Sequence, residues 1–154
     1  MNAVVLSRQV QLRNMREEDL PVVMDVERAA YEFPWTFGIF RDCIRFGYIC
    51  KVLSGNSGLV GHGIMSLGAG ECHLLNICIH PDSQGQGYGT ELTSRLLDVA
   101  RSRHAKMALL EVRVSNPVAY HVYSKLGFHE IGIRRAYYPG RKGREDAVIL
   151  ARDL

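Results

Sequence analysis

The sequence predicts one mixed α/β domain, and three observations carry that prediction. Apolar runs that read as strands and amphipathic runs that read as helices are interspersed along the whole chain. The 154 residues suit one ordinary domain, and 47% of them are apolar, enough to bury a core. No repeat, low-complexity stretch or Pro-rich linker marks a place where a second domain would begin. The expected domain covers residues 1–154, with its core from about residue 10.

Charge and cysteine usage narrow the function classes. A formal net charge of +3 accommodates a phosphate-bearing ligand and does not predict direct nucleic-acid binding. Cys43, Cys50, Cys72 and Cys78 form no C-x-x-C pair, and the histidines show no metal spacing, so no metal is expected. The thiols are expected to be reduced and buried, as in a cytosolic protein. The apolar run between Met1 and Arg8 is too short for the core of a signal peptide. No stretch approaches the length of a membrane span, so the expectation is a soluble cytoplasmic protein that makes no use of a membrane.

Taken in order, Gln9 to Arg13 alternates like a short strand. The acidic run Arg16-Glu17-Glu18-Asp19 precedes Leu20-Pro21, a helix start, and Val22, Val23, Val26 and Ala30 give that helix an apolar face. Phe33-Pro34-Trp35 breaks it, and Thr36 caps a second helix running through Ile44. Tyr48 to Leu53 and Leu59 to Leu67 are two strands joined by the turn residues Ser54 to Gly58. Cys72 to Ile79 is an apolar strand ended by Pro81. Thr90 to His104 is a helix with Leu92, Leu96, Val99 and Ala100 at helical spacing. Met107 to Val114 is the next strand; Asn116 and Pro117 open a helix that Gly127 ends. Phe128 to Ala136 and Ala147 to Ala151 supply the last strands.

The chemistry concentrates after the strand at Cys72–Ile79. Gly85, Gly87 and Gly89 stand between a strand and a helix, where backbone N–H groups and the helix N-terminus make an anion site suited to phosphates. The dinucleotide fingerprint is absent, because its last glycine would fall on Thr90 or Leu92. The Gly-Lys-Ser/Thr of triphosphate-binding loops is absent too. Gln84-Gly85-Gln86-Gly87-Tyr88-Gly89 does match Q/R-x-x-G-x-G/A, and Asn116, Ala119, Tyr123, Gly127 and Phe128 match N-x-x-A-x-x-x-Y-x-x-x-G-F. On these two motifs the chain resembles the Gcn5-related N-acetyltransferase family.

That resemblance implies a single domain with a central, mostly antiparallel sheet of about six or seven strands flanked by helices, and acetyl-CoA as cosubstrate. It places Ile77, Cys78 and Ile79 against the pantetheine arm and Gly85, Gln86, Gly87, Tyr88, Gly89 and Thr90 around the pyrophosphate. It also puts Asn116 on the cofactor arm and Tyr123 near the thioester sulfur. Relatives often carry Arg where this loop has Gly85 and Thr90, which removes two phosphate contacts.

Acid–base chemistry suggests the roles. A thiol has a pKa of about 8.5 and a phenol about 10, so Tyr123 can protonate a departing thiolate, with Tyr120 the nearby competitor. An α-amine, near 8, needs less help to become neutral than a lysine, near 10.4. Glu111 is the candidate base, and its apolar neighbours in sequence predict a raised pKa. The alternative is a solvent-facing strand glutamate paired with Arg113 or a neighbour.

Three further segments resemble the subfamily of bacterial ribosomal-protein-alanine N-acetyltransferases: Phe33-Pro34-Trp35, Leu110-Glu111-Val112-Arg113-Val114-Ser115-Asn116, and Arg134-Arg135-Ala136-Tyr137-Tyr138-Pro139 with Gly143-Arg144-Glu145-Asp146-Ala147. This implies transfer of acetyl to the N-terminal alanine amine of a ribosomal protein, with Glu111 as base and Tyr123 as acid. Phe33, Trp35, Tyr137 and Tyr138 would then shape the peptide groove. The basic run Arg141 to Arg144 reads as a solvated turn, with docking on ribosomal RNA or on the cofactor's adenosine phosphate as the alternative. His73 and His121 read as packing or surface residues. Two rival functions stay open at this point: acetylation of a small-molecule amine by the same fold, and a non-catalytic acetyl-CoA sensor.

Overall fold

The computed structural model describes residues 10–154; the readings of residues 1–8 and of Gln9 lie outside the described residues. Seven strands hydrogen-bond in the order β1-β2-β3-β4-β5-β7-β6. They are β1 (Gln11–Asn14), β2 (Ile49–Gly55), β3 (Gly58–Gly68), β4 (Glu71–Ile79), β5 (Met107–Arg113), β6 (His129–Gly140) and β7 (Gly143–Asp153). Among the described residues four α-helices accompany them: α1 (Leu20–Ala30), α2 (Phe37–Arg45), α3 (Tyr88–Ser102) and α4 (Pro117–Lys125). The pairs β1–β2, β5–β7 and β6–β7 are antiparallel, and β4–β5 is parallel. The strand count and mixed class agree with the expectation. By contacts the chain forms two units, residues 10–64 with Asn76–Leu92, and Met65–Leu75 with Thr93–Leu154.

In the first unit the local signals act as read. The Thr36 hydroxyl accepts from the Ile39 N–H at 3.2 Å and caps α2. The β2–β3 hairpin turns at Asn56-Ser57, and Gly58 takes a φ of +117° that side chains avoid. The apolar face of α1 is rotated from its expected place: Leu20, Val23, Met24, Val26 and Glu27 are buried, whereas Val22 is 47% exposed. Helix α3 begins at Tyr88, two residues earlier than expected, so Tyr88 and Gly89 belong to its first turn rather than to the loop.

Gly61 is the tightest backbone approach. A Cβ there would lie 2.3 Å from the Cys78 carbonyl oxygen and 2.7 Å from the Ile79 side chain. Gly61→Ala must therefore push β3 and β4 apart next to Cys78. The expected cost is about 3 kcal/mol, the upper end of overpacking penalties, read as a lower urea midpoint. A midpoint equal to wild type would show that the strands relax freely here.

In the second unit, Asn116 caps α4 by accepting from the Ala119 N–H at 3.1 Å, and Gly127 follows the helix with a φ of +90°. The Arg152 guanidinium donates to the Leu126 carbonyl at 2.6 Å and closes that helix end. Strands β6 and β7 run well past their expected ends and form one long hairpin. Between Arg134, opposite Ala147, and Tyr138, opposite Glu145, β6 advances four residues while β7 advances two. The bulge is centred on Ala136, whose φ is +51°.

Candidate active site

The first unit contains the glycine loop. A 3-10 turn at Pro81–Ser83 leads from β4 into it, and Gly85 and Gly87 hold φ of +75° and +85°, left-handed conformations that favour glycine. Gln86 and Thr90 are exposed, and Tyr88 and Gly89 are half-buried at the start of α3. The Gln84 amide donates to the Ile79 carbonyl at 3.0 Å, and the Tyr31 hydroxyl donates to the Ile77 carbonyl. Two backbone acceptors of the β4 end are thereby engaged within the protein.

Beneath this lies a polar cluster that sequence reading missed. Glu27, 1% exposed, accepts from the Trp35 N–H at 2.9 Å and from the Asn76 amide at 3.2 and 3.3 Å, and its Oε1 is 3.0 Å from His62 Nε2. Phe40 packs edge-on against His62 and tilted against Trp35, both with centroids 5.3 Å apart. Glu27, His62 and Cys78 also offer ligand atoms within 4.8 Å of one another. Both carboxylate oxygens already accept hydrogen bonds, however. Burial and then the neighbouring Glu27 push the Cys78 thiol pKa well up, which opposes the thiolate a metal requires. Through the Trp35 N–H the Glu27 carboxylate anchors the backbone of the segment after α1. All four cysteines are free and buried, as expected.

The second unit holds the candidate acid and base. Glu111 sits on β5 with its side chain 6% exposed, so it is not the solvent-facing glutamate of the alternative reading. Nor is its partner Arg113, which instead approaches Glu145 at 3.3 Å. One oxygen of Glu111 lies 2.6 Å from His73 Nε2, and the other 3.1 Å from Arg134 Nε. Burial pushes the Glu111 pKa up, but the hydrogen bond and charge of His73, then Arg134, outweigh it and hold the carboxyl below its ordinary value. The expected rise is thus corrected to a fall. The error came from sequence neighbours: Leu110 and Val112 alternate onto the opposite, buried face of the strand.

Tyr123 on α4 packs edge-on against Phe128, centroids 5.9 Å apart, and burial pushes its hydroxyl up to about 12. It is a neutral donor at physiological pH, further from a thiol's pKa than a free phenol. Tyr120 is directed elsewhere, donating to Glu130 at 3.2 Å.

The bulge in β6 builds an aromatic wall. Asp146 accepts from the Ala136 N–H at 2.8 Å, and Arg144 donates to the Ala136 and Tyr137 carbonyls at 2.7 and 2.8 Å. Tyr137 and Tyr138 meet edge-on at 4.8 Å. Arg113 lies over the Tyr138 ring at 4.4 Å and Arg134 over Tyr137 at 5.5 Å. Arg144 of the basic run is thus engaged in the hairpin and is more than a solvated turn residue. The structure brings together Glu111, Arg134, Tyr137 and Tyr138 from the predicted segments and adds His73.

The fold is that of an acyltransferase. The chain belongs to the Acetyltransferase (GNAT) family, whose pattern it matches over residues 10–128. Members of this family take their acetyl group from acetyl-CoA. The chain is 37% identical over 140 residues to the [ribosomal protein bS18]-alanine N-acetyltransferase of Escherichia coli strain K12, covering 91% of this chain and 95% of that one. It is 32% identical to the putative enzyme of that name from Bacillus subtilis, over 90% of this chain and 92% of the relative. The crystal structure of the E. coli ribosomal-protein-S18-alanine N-acetyltransferase superposes with a TM-score of 0.88 at 36% identity, covering 95% and 94% of the two chains.

Proposed function

We propose that this acetyltransferase transfers acetyl from acetyl-CoA to the N-terminal alanine α-amine of a ribosomal protein, by direct attack in a ternary complex. The observation that carries it is the buried Glu111 carboxylate, flanked on β6 by a wall of two tyrosines and held by Arg134. Similarity to relatives that acetylate ribosomal protein bS18, over nine-tenths of the chain, supports the same substrate class. The acetyltransferase domain is assigned to residues 1–154, with its core from about residue 10. Ile77, Cys78, Ile79 and Asn116 are assigned to the cofactor arm, and Gly85, Gln86, Gly87, Tyr88, Gly89 and Thr90 to the pyrophosphate. Tyr123 is the acid that meets the departing sulfur, and Glu111 is the carboxylate towards which the amine loses its proton. Phe33, Trp35, Tyr137 and Tyr138 contact the peptide. No described helix is long and apolar enough to cross a membrane, and a ribosomal substrate supports a cytoplasmic location.

The test is mass spectrometry of a peptide with a free N-terminal Ala and one internal Lys, after incubation with the protein and acetyl-CoA. One acetyl group on the α-amine, absent when that amine is blocked, is the expected result. Modification of the lysine alone, or of a polyamine in preference to the peptide, would overturn the substrate assignment.

A further inference from the structure

The Glu111 carboxylate is poorly placed to receive an amine proton directly. Its two oxygens are already engaged by His73 and Arg134, and its side chain is 6% exposed against 30% for His73. The chemistry points the same way. Burial raises the Glu111 pKa, but His73 and then Arg134 outweigh it and hold the carboxyl below its ordinary value, which makes Glu111 a weaker proton acceptor than a free carboxylate. His73 stands on β4 opposite Leu109, one alternation step before Glu111 on the same face of the parallel pair. The ionised carboxylate can only accept, so a neutral His73 ring carries its proton on Nε2 and donates it across the 2.6 Å contact. That leaves the lone pair on Nδ1 of a ring whose side chain is 30% exposed.

We infer that His73 is the catalytic residue through which the attacking α-amine loses its proton towards Glu111: the imidazole takes the proton, and Glu111 orients the ring and balances the imidazolium charge. The inference rests on the N-terminal acetylation reading above. The α-ammonium gives one proton to Nδ1, directly or through one water, and becomes a neutral amine. Its lone pair forms the C–N bond to the thioester carbonyl carbon, and the C–S bond breaks. The sulfur leaves with its electron pair and takes the hydroxyl proton of Tyr123. The second nitrogen proton, released as the amide forms, restores that hydroxyl through solvent. The imidazolium then returns its proton to water at its exposed edge. The division of labour is that of a carboxylate–histidine pair, in which the carboxylate fixes tautomer and charge and does not itself become protonated. The other groups coupled to this pair are Arg134 on β6, bonded to the far oxygen of Glu111, and Tyr138 on β6, whose pKa burial and then the Glu111 charge push up.

The experiment compares wild type, His73→Gln and His73→Ala in the full chain, using an N-terminal Ala peptide and acetyl-CoA. Thiol release is followed from about pH 6 to about pH 9, which brackets imidazole and α-amine titration. Melting temperatures establish that each variant is folded, and His73→Gln preserves a donor to Glu111. The expected result is a fall in kcat of about a hundredfold for both variants, with the acetyl-CoA KM unchanged. The kcat/KM profile of His73→Gln against pH should differ in shape from that of wild type. Added imidazole should restore part of the His73→Ala rate and none of the His73→Gln rate. Wild-type kcat with an unchanged profile in both variants would overturn the inference. So would a loss that neither alters the profile nor responds to imidazole, because His73 would then be only a structural neighbour of Glu111. If wild type itself leaves the peptide unmodified, the peptide reading fails first and this inference with it.

Discussion

Glu111→Gln should lower turnover of an N-terminal Ala peptide by on the order of a thousandfold while acetyl-CoA still binds with wild-type affinity. The amide keeps the shape of the side chain and an acceptor for His73, but it removes the charge that stabilises an imidazolium 2.6 Å away. It also turns an amide N–H₂ towards Arg134, which lies 3.1 Å from the second oxygen. Calorimetry with acetyl-CoA and steady-state thiol release read the two halves of the prediction. A variant within about threefold of wild type at neutral pH, too little for loss of acid–base catalysis, would remove Glu111 from the proton path.

The same substitution has a stability signature. The Glu111 pKa is lower in the folded chain than its ordinary value. Its contribution is therefore complete above the unfolded carboxylate pKa, about 4.3, and is lost as pH falls through the folded value. Acid unfolding of wild type should include this limb, and Glu111→Gln should lack it. The effect on stability at neutral pH is modest, because Arg134 is 52% exposed and water screens much of that pair.

What the sequence revealed depended on how local the determinant was. The Asn116 cap, the Gly127 stop, the Thr36 cap and the turn at Asn56-Ser57 each lie within a few residues of the element they shape, and each was legible. Glu111 and Tyr123 were named as candidates because chemistry constrains residue type. The partners of Glu111 were not. His73 is 38 residues away in sequence and meets it only through the register of β4 on β5. A lone strand histidine gives no sign of this, although its place on the same alternating face as Glu111 would have been a usable clue once the parallel pair was known. The ends of β6 and β7 were lost for a related reason. Tyr137, Tyr138 and Pro139 lay beyond the expected strand end at Ala136, and it is pairing with β7, together with the Arg144 and Asp146 side chains, that keeps that segment in a bulged hairpin.

Glu27 was missed for the opposite reason: a glutamate between Val26 and Arg28 on an amphipathic helix looks like a surface residue. Its burial follows from three polar groups that converge on it, the Trp35 N–H, the Asn76 amide and the His62 ring. Glu27→Ala should therefore destabilise the chain by about 4 kcal/mol, the cost of leaving a buried polar network without its acceptor. At a urea dependence of about 2 kcal/mol per molar, the unfolding midpoint should fall by about 2 M. Glu27→Gln should cost less. The His62 Nδ1 has no partner, so the ring can change tautomer and accept at Nε2 from the new amide, while the remaining carbonyl oxygen serves the Trp35 N–H. A midpoint shift of Glu27→Ala within about 0.3 M would mean that water replaces the carboxyl without loss, and the cluster would not be the anchor described. The consequence for function follows from the same contact. The Trp35 amide is the point at which the segment after α1 is tied to the core, so a folded Glu27→Gln chain should keep its acetyl-CoA KM. Its peptide KM should rise only if the Trp35 N–H has lost its acceptor, which separates a weakened fold from a displacement of the segment proposed to contact the peptide.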